Sequence, residues 1–186
     1  MEHAAEPNKP CAPQLGFRFY TDSDHAGNAE KQNKRRSQNG TVTMLYDAAV
    51  DWTSKVSSIA FATPLVGESH AEMSSGGNEI YAAGNATYSI LDLYYLYEEC
   101  GMKFPIPFVL QMDNATAEAF CNGTVKRSKL RHIDCRQEWV KTLRNKDVMR
   151  PKHVNTKENL ADMFTKILDA KDFISLRNMM MYDPHA

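Results

Sequence analysis

The chain has 186 residues, a formal net charge of −1, 42% hydrophobic and 24% charged residues. That is the composition of an ordinary soluble globule of one domain with a tail at either end, and no apolar run has the length of a transmembrane helix. Four cysteines without CxxC spacing exclude both an evident zinc site and a disulfide framework, so reduced thiols in an intracellular protein are expected.

Near-neutrality hides clustering. Residues 31–36 hold four Lys/Arg, and 126–147 hold eight against three acids, so twelve of the 22 basic residues fall in two stretches. Such runs are either solvated faces or grips for a phosphate-bearing partner.

Residues 1–14, with prolines at 7, 10 and 13, read as a flexible tail or linker and not as a secretory signal. From Leu15 an aromatic run alternates Phe17, Phe19 and Thr21 with Arg18, Tyr20 and Asp22, the period of a strand ending in acids. Asp22-Ser23-Asp24 is also turn chemistry, so at this point both readings stand. A polar basic loop follows. Residues 41–46 and 49–53 then read as two strands joined near Asp47-Ala48, which makes a three-stranded meander with the first. Asn39-Gly40 is a turn dipeptide or the start of a strand.

Ser74-Ser75-Gly76-Gly77-Asn78 is a helix start. Behind it, Ile80, Ala83, Thr87, Leu91, Tyr94 and Tyr95 recur at helical spacing, widened by Ala82, Ala86, Ile90, Leu93 and Tyr97. A broad stripe of this kind suits a helix lying on a sheet, opened by Glu79 and ended by Gly101. Residues 108–114 form a strand that again ends in an acid, Asp113. A short helix over 115–121, a basic helix from about 130 to 145 with Ile133, Val140 and Leu143 inward, and a strand over 149–155 follow. Thr156 is expected to cap a closing helix whose buried face is Leu160, Met163, Phe164, Ile167 and Leu168, with Asp162 in its first turns.

Four acids therefore sit at the edges of apolar elements: Asp22, Glu79, Asp113 and Asp162. At one rim they would repel each other strongly unless divalent cations with oxygen ligands held them together, which favours magnesium or manganese over zinc. Two such ions would suit in-line displacement at phosphorus. Periodicity does not show that the four converge.

The strings Tyr20-Thr21-Asp22-Ser23-Asp24-His25-Ala26-Gly27, Ser74-Ser75 through Glu79, Met112-Asp113-Asn114, Arg131-His132-Ile133-Asp134 and Asn159-Leu160-Ala161-Asp162-Met163-Phe164-Thr165-Lys166 resemble, in order, YSDADWAG, SSxEAEY, CDN, KHID and LADxxTK. Those are motifs of the ribonuclease H domain of copia-type retrotransposon Pol polyproteins. Arg36-Ser37 with Gly40, and Trp52-Thr53-Ser54-Lys55, resemble two further strings of that family. The likeness runs from about Leu15 to Leu176. It implies an α/β ribonuclease H-like fold over 15–180, a five-stranded mixed sheet of order 3-2-1-4-5 flanked by helices, with tails at 1–14 and 181–186. It also implies that Asp22, Glu79, Asp113 and Asp162 are catalytic metal ligands.

This sequence departs from the family in several places. Gly77-Asn78-Glu79 keeps only the second glutamate of EAE, with Glu72 as a competitor. About ten extra residues lie between Trp52 and Ser74. His25 stands for Trp and Glu138 for a second His. Cellular ribonucleases H carry a mobile histidine before the last acid, and none lies between Val154 and Asp162. Asp24 reads as a loop cap or support, Ser23 and Asn114 as turn formers or substrate contacts, and His132 with Asp134 as a buried structural bond. Tyr94, Tyr95 and Tyr97 read as core or rim packing.

The resemblance implies a metal-dependent endoribonuclease cutting the RNA strand of RNA–DNA hybrids during reverse transcription, using two Mg2+ (or Mn2+) ions. Lys34, Arg35, Arg36, Asn114, Lys126, Arg127, Lys129 and Arg131 are the candidates for gripping nucleic acid. The implied partners are the hybrid and a reverse transcriptase polymerase domain of the same polyprotein, with no membrane, in a cytoplasmic retroelement particle or the nucleus. The competing reading is a catalytically inactive ribonuclease H-like module that only binds nucleic acid or serves as a structural remnant.

Overall fold

A computed structural model describes residues 16–24, 37–57, 75–103, 106–124 and 135–181. Its frame is a five-stranded sheet built on β1 (Phe17–Asp24). On one side β1 pairs antiparallel with β2 (Gln38–Leu45), and β2 pairs antiparallel with β3 (Ala48–Val56). On the other side β1 runs parallel to β4 (Phe108–Met112), which runs parallel to β5 (Met149–His153). The order is β3-β2-β1-β4-β5, as the resemblance implied.

Both faces of β1 are covered, which is why its aromatics alternate without a polar face. Phe17 and Phe19 meet Ile80, Ala83, Ala86 and Ile90 of α1 (Ser75–Glu99), together with Phe120, Val140 and Leu143. Tyr20 points into a second cluster with Val42, Met44, Leu160, Ala161, Leu176 and Met180. Each aromatic or large aliphatic side chain so buried contributes about 1.5–3 kcal/mol. A sheet with apolar clusters on both sides needs cover from two layers. α1, α2 (Ala115–Cys121) and α3 (Cys135–Asn145) supply one; the C-terminal segment supplies the other.

Several boundaries differ from the sequence reading. The β2–β3 turn is at Tyr46-Asp47, with Tyr46 at φ 56°, and Asn39-Gly40 lies inside β2. α1 begins at Ser75, so Glu79 stands one turn inside the helix instead of opening it. Its end matches the expectation: Gly101, at φ 68°, takes the left-handed conformation that terminates helices. Tyr95 is exposed, while Tyr94 and Tyr97 pack against the core. Val140 and Leu143 face inward as expected. Ile133, residues 58–73 of the insertion read at 56–73, the tail at 1–14 and all but Met181 of the tail at 181–186 lie outside the described residues.

The single closing helix is corrected most. The segment is two 3-10 turns, Thr156–Glu158 and Leu160–Phe164, then α4 (Ala170–Met180). Thr156 is not the cap. The Asn155 side chain accepts from the Lys157 N–H, and the Asn159 Oδ1 accepts from the Ala161 N–H, so each asparagine restarts the chain. Asn159, fully buried, also donates from Nδ2 to the Thr21 carbonyl at 3.1 Å, which pins the segment to β1. α4 starts behind Asp169, whose carboxylate caps the Asp172 N–H. Leu160, Met163, Phe164 and Leu168 do pack inward. Ile167 is fully exposed, because helical spacing does not carry across the break before Ala170.

Candidate active site

Parallel pairing of β1 and β4 puts their C-terminal ends on one rim of the sheet. Asp22 is near the end of β1, and Asp113 directly follows β4. α1 packs on the sheet with its first turns at the same rim, which delivers Glu79. One carboxylate oxygen from each of Asp22, Glu79 and Asp113 lies within 4.8 Å of the others. Asp22 and Glu79 are buried, and Asp113 is half-buried.

Asp162 is buried beside them on the Leu160–Phe164 turn. Its Oδ2 is 2.8 Å from the Lys166 ammonium, which also stands 4.0 Å from Asp22 Oδ2. The Thr165 hydroxyl donates to Asp22 Oδ2. The fourth acid is thus joined to Asp22 through Lys166 and lies outside the tight group of three.

These carboxylates are held under electrostatic load. Burial, reinforced by the charges of Asp22 and Asp113, pushes Glu79 up to about 9, against the Ser23 N–H that donates to its Oε1 at 3.1 Å. Burial likewise raises Asp162 to about 7; the bond to Lys166 opposes this, and Asp22 and Asp113 add to it. Burial by itself would lower Lys166, but the Asp162 and Asp22 carboxylates outweigh it and hold the ammonium above its usual value.

Two buried carboxylate oxygens, Glu79 Oε2 and Asp162 Oδ1, have no hydrogen-bond partner. An unpartnered buried carboxylate oxygen is costly, and a hard divalent cation bound through oxygens removes that cost. The donor set is all carboxylate, without His or Cys, and so fits magnesium or manganese.

The other candidates divide. Asn114 is the N-cap of α2, its Oδ1 accepting from the Thr116 and Ala117 N–H groups, which supports the turn-forming reading. The Ser23 hydroxyl donates to Asn39 Oδ1. Lys34, Arg35, Arg36, Lys126, Arg127, Lys129 and Arg131 lie outside the described residues, as do His25, Glu72, His132 and Asp134.

Sequence reasoning assigned no role to Thr165 and Lys166, although both stand in the quoted LADxxTK-like string. The Asp162/Lys166 spacing of four was the available signal. It also passed over His153, at the end of β5, whose Nε2 is 3.1 Å from the Asp113 carbonyl oxygen. His153 lies just before the Val154–Asp162 stretch in which a histidine is expected.

No protein-family model matches the chain. The retrovirus-related Pol polyprotein from transposon TNT 1-94 of Nicotiana tabacum is 24% identical over 154 residues, 83% of this chain. Pol polyproteins from transposons RE2 and RE1 of Arabidopsis thaliana are each 26% identical over 159 residues, 86% of this chain. The match spans about a tenth of the length of each relative. Among solved structures, the N-terminal RNase H domain of a Mycobacterium tuberculosis protein superimposes with a TM-score of 0.53 at 11% identity, covering 88% of this chain and 97% of that one. LC11-RNase H1, solved in complex with an RNA/DNA hybrid, gives 0.52 at 15% identity, covering 80% and 93%. Among the described residues no helix is long and apolar enough to cross a membrane. The chain has the ribonuclease H fold, and its sequence likeness supports a ribonuclease H domain of a retrotransposon Pol polyprotein.

Proposed function

We propose that this domain is a divalent-metal-dependent endoribonuclease that hydrolyses the RNA strand of RNA–DNA hybrids during retrotransposon reverse transcription. The observation that carries the reading is the meeting of the Asp22, Glu79 and Asp113 carboxylates at one rim, with a buried Glu79 oxygen left unpartnered. Asp22, Glu79 and Asp113 would hold one Mg2+, and Asp22 with Asp162 a second, Mn2+ serving equally. Bound there, such ions supply an activated water and neutralise charge developing on the phosphate oxygens.

The chain's own residues set the geometry. The Ser23 N–H orients Glu79, the Thr165 hydroxyl orients Asp22, and burial shields Asp22, Glu79 and Asp162 from competing water. Discrimination of RNA from DNA would come from contacts to 2′-hydroxyls across the minor groove, not from base edges. The basic residues Lys34 to Arg36 and Lys126 to Arg131 are the proposed grips on the duplex backbone. The relatives are polyproteins about ten times as long as the match, so a polymerase domain of the same polyprotein is the proposed neighbour.

The test is Asp22→Asn assayed on labelled hybrid with magnesium. It should lower cleavage by a factor of about 10³ or more, roughly 4 kcal/mol of barrier, with hybrid binding and thermal stability close to those of the parent protein. Unchanged cleavage in that variant refutes the assignment. A parent protein that binds hybrid yet never cleaves it would instead establish the inactive module.

A further inference from the structure

Lys166 is the cation that contacts the acids of the site among the described residues. Its Nζ stands 2.8 Å from Asp162 Oδ2 and 4.0 Å from Asp22 Oδ2, so it occupies the space between the two carboxylates proposed to share the second ion. It satisfies Asp162 only by half, since Asp162 Oδ1 is buried without a partner. The surroundings separate a fixed backbone from a movable head. The Lys166 N–H donates to the Asp162 carbonyl at 3.3 Å, and the preceding Thr165 is buried with its hydroxyl on Asp22. The Lys166 side chain itself is 35% exposed, against 4–5% for the two acids it bridges. A four-carbon stem on a side chain already about a third exposed can withdraw its ammonium at small cost.

An ammonium and a divalent cation cannot share two carboxylates at these distances, because their repulsion would cancel much of what each gains from the acids. Building on the metal-site reading above, we propose that Lys166 is a tethered competitor for the cation position between Asp22 and Asp162. Its ammonium keeps Asp162 paired before metal arrives and swings outward when the second divalent ion enters. Tethering gives it a high effective concentration, so the second ion binds more weakly than the first. The two ions then load in order, first on the Asp22, Glu79 and Asp113 side.

The experiment counts Mn2+ bound to the substrate-free protein, from the free-ion electron paramagnetic resonance signal, with calorimetric titration of Mg2+ alongside. The parent protein should show one tighter and one weaker ion. Lys166→Met, and independently Lys166→Gln, should tighten the weaker ion about tenfold or more, equivalent to about 1.4 kcal/mol, and move the tighter one far less. Lys166→Arg, which keeps the charge, should stay near the parent. Circular dichroism and thermal melting identify whichever neutral variant is folded. If a folded neutral variant binds its second ion with unchanged or weaker affinity, the competitor role is overturned while the metal-site reading stands. If the parent protein takes up no Mn2+, both fall.

Discussion

Gly40 offers the sharpest test of how the sheet positions the site. It lies in β2 directly opposite Asp22, at the point where the C-terminal segment crosses the sheet. A Cβ added there would stand 2.8 Å from the Ala161 carbonyl oxygen, 2.8 Å from Thr165 Cγ2 and 3.1 Å from Phe164 Cβ. All three atoms belong to residues within three positions of Asp162, and one is backbone, which cannot rotate away. Relief requires the Leu160–Thr165 stretch to lift by roughly half an ångström. Gly40→Ala should therefore carry the overpacking cost of about 1–3 kcal/mol. For a domain of this size that lowers the melting temperature by about 3–10 °C. The same lift carries Asp162 and the Thr165 hydroxyl away from Asp22, and a displacement of that order lowers turnover by about ten- to a hundredfold. The measurements are a thermal melt and steady-state hybrid cleavage at saturating magnesium. Gly16→Ala is the control, since a Cβ there meets nothing within 4 Å. A Gly40→Ala protein with parental melting temperature and turnover would refute the reasoning.

Two further outcomes concern the same rim. Without metal, Glu79 and Asp162 have folded-state values of about 9 and 7, above their ordinary 4.5 and 3.8. The protonated acids therefore favour the fold at low pH, and that stability is lost as pH rises through those values. Lys166 lies above 10.5 and does not act in this window. In chelator, stability should fall by at least about 2 kcal/mol between pH 5 and 9, and saturating Mg2+ should flatten the decline; denaturant melts at each pH check this, and a flat or rising metal-free profile would contradict it. Asn159→Ala removes the bond to the Thr21 carbonyl and the cap on Ala161, leaving buried polar groups unpaired. It should cost about 1–3 kcal/mol and lower cleavage as well, and an unchanged melting temperature would show that the pin is idle.

The strands and the long helix were legible because they follow from local pattern, whereas the sheet order was implied only by the family resemblance. Alternating Phe17, Phe19 and Thr21, the stripe from Ile80 to Tyr97, and Gly101 after it are written within a few residues of one another, at periods a single element imposes. The C-terminal segment was misread for the same reason. Leu160, Met163, Phe164 and Ile167 imitate a helical face, yet Asn155 and Asn159 each cap a new turn, and Asn159 also bonds Thr21, 138 residues away, which pins the segment to β1. A local pattern carries no trace of so distant a partner.

The acids themselves were visible in sequence, as charged residues at the ends of apolar elements and as parts of a family's strings. What periodicity left open was whether they meet. Parallel β1 and β4, with α1 returning to their common rim, bring Asp22, Glu79 and Asp113 within 4.8 Å, and this follows from chain connectivity in space. Lys166 between Asp162 and Asp22, His153 on the Asp113 carbonyl, and the close approach of the C-terminal segment over Gly40 are likewise products of packing. Sequence determined which residues could carry charge to the rim, because burial and periodicity are local demands. Only the tertiary structure decided which charges face one another, because electrostatic contact depends on distances that separate elements acquire when they pack.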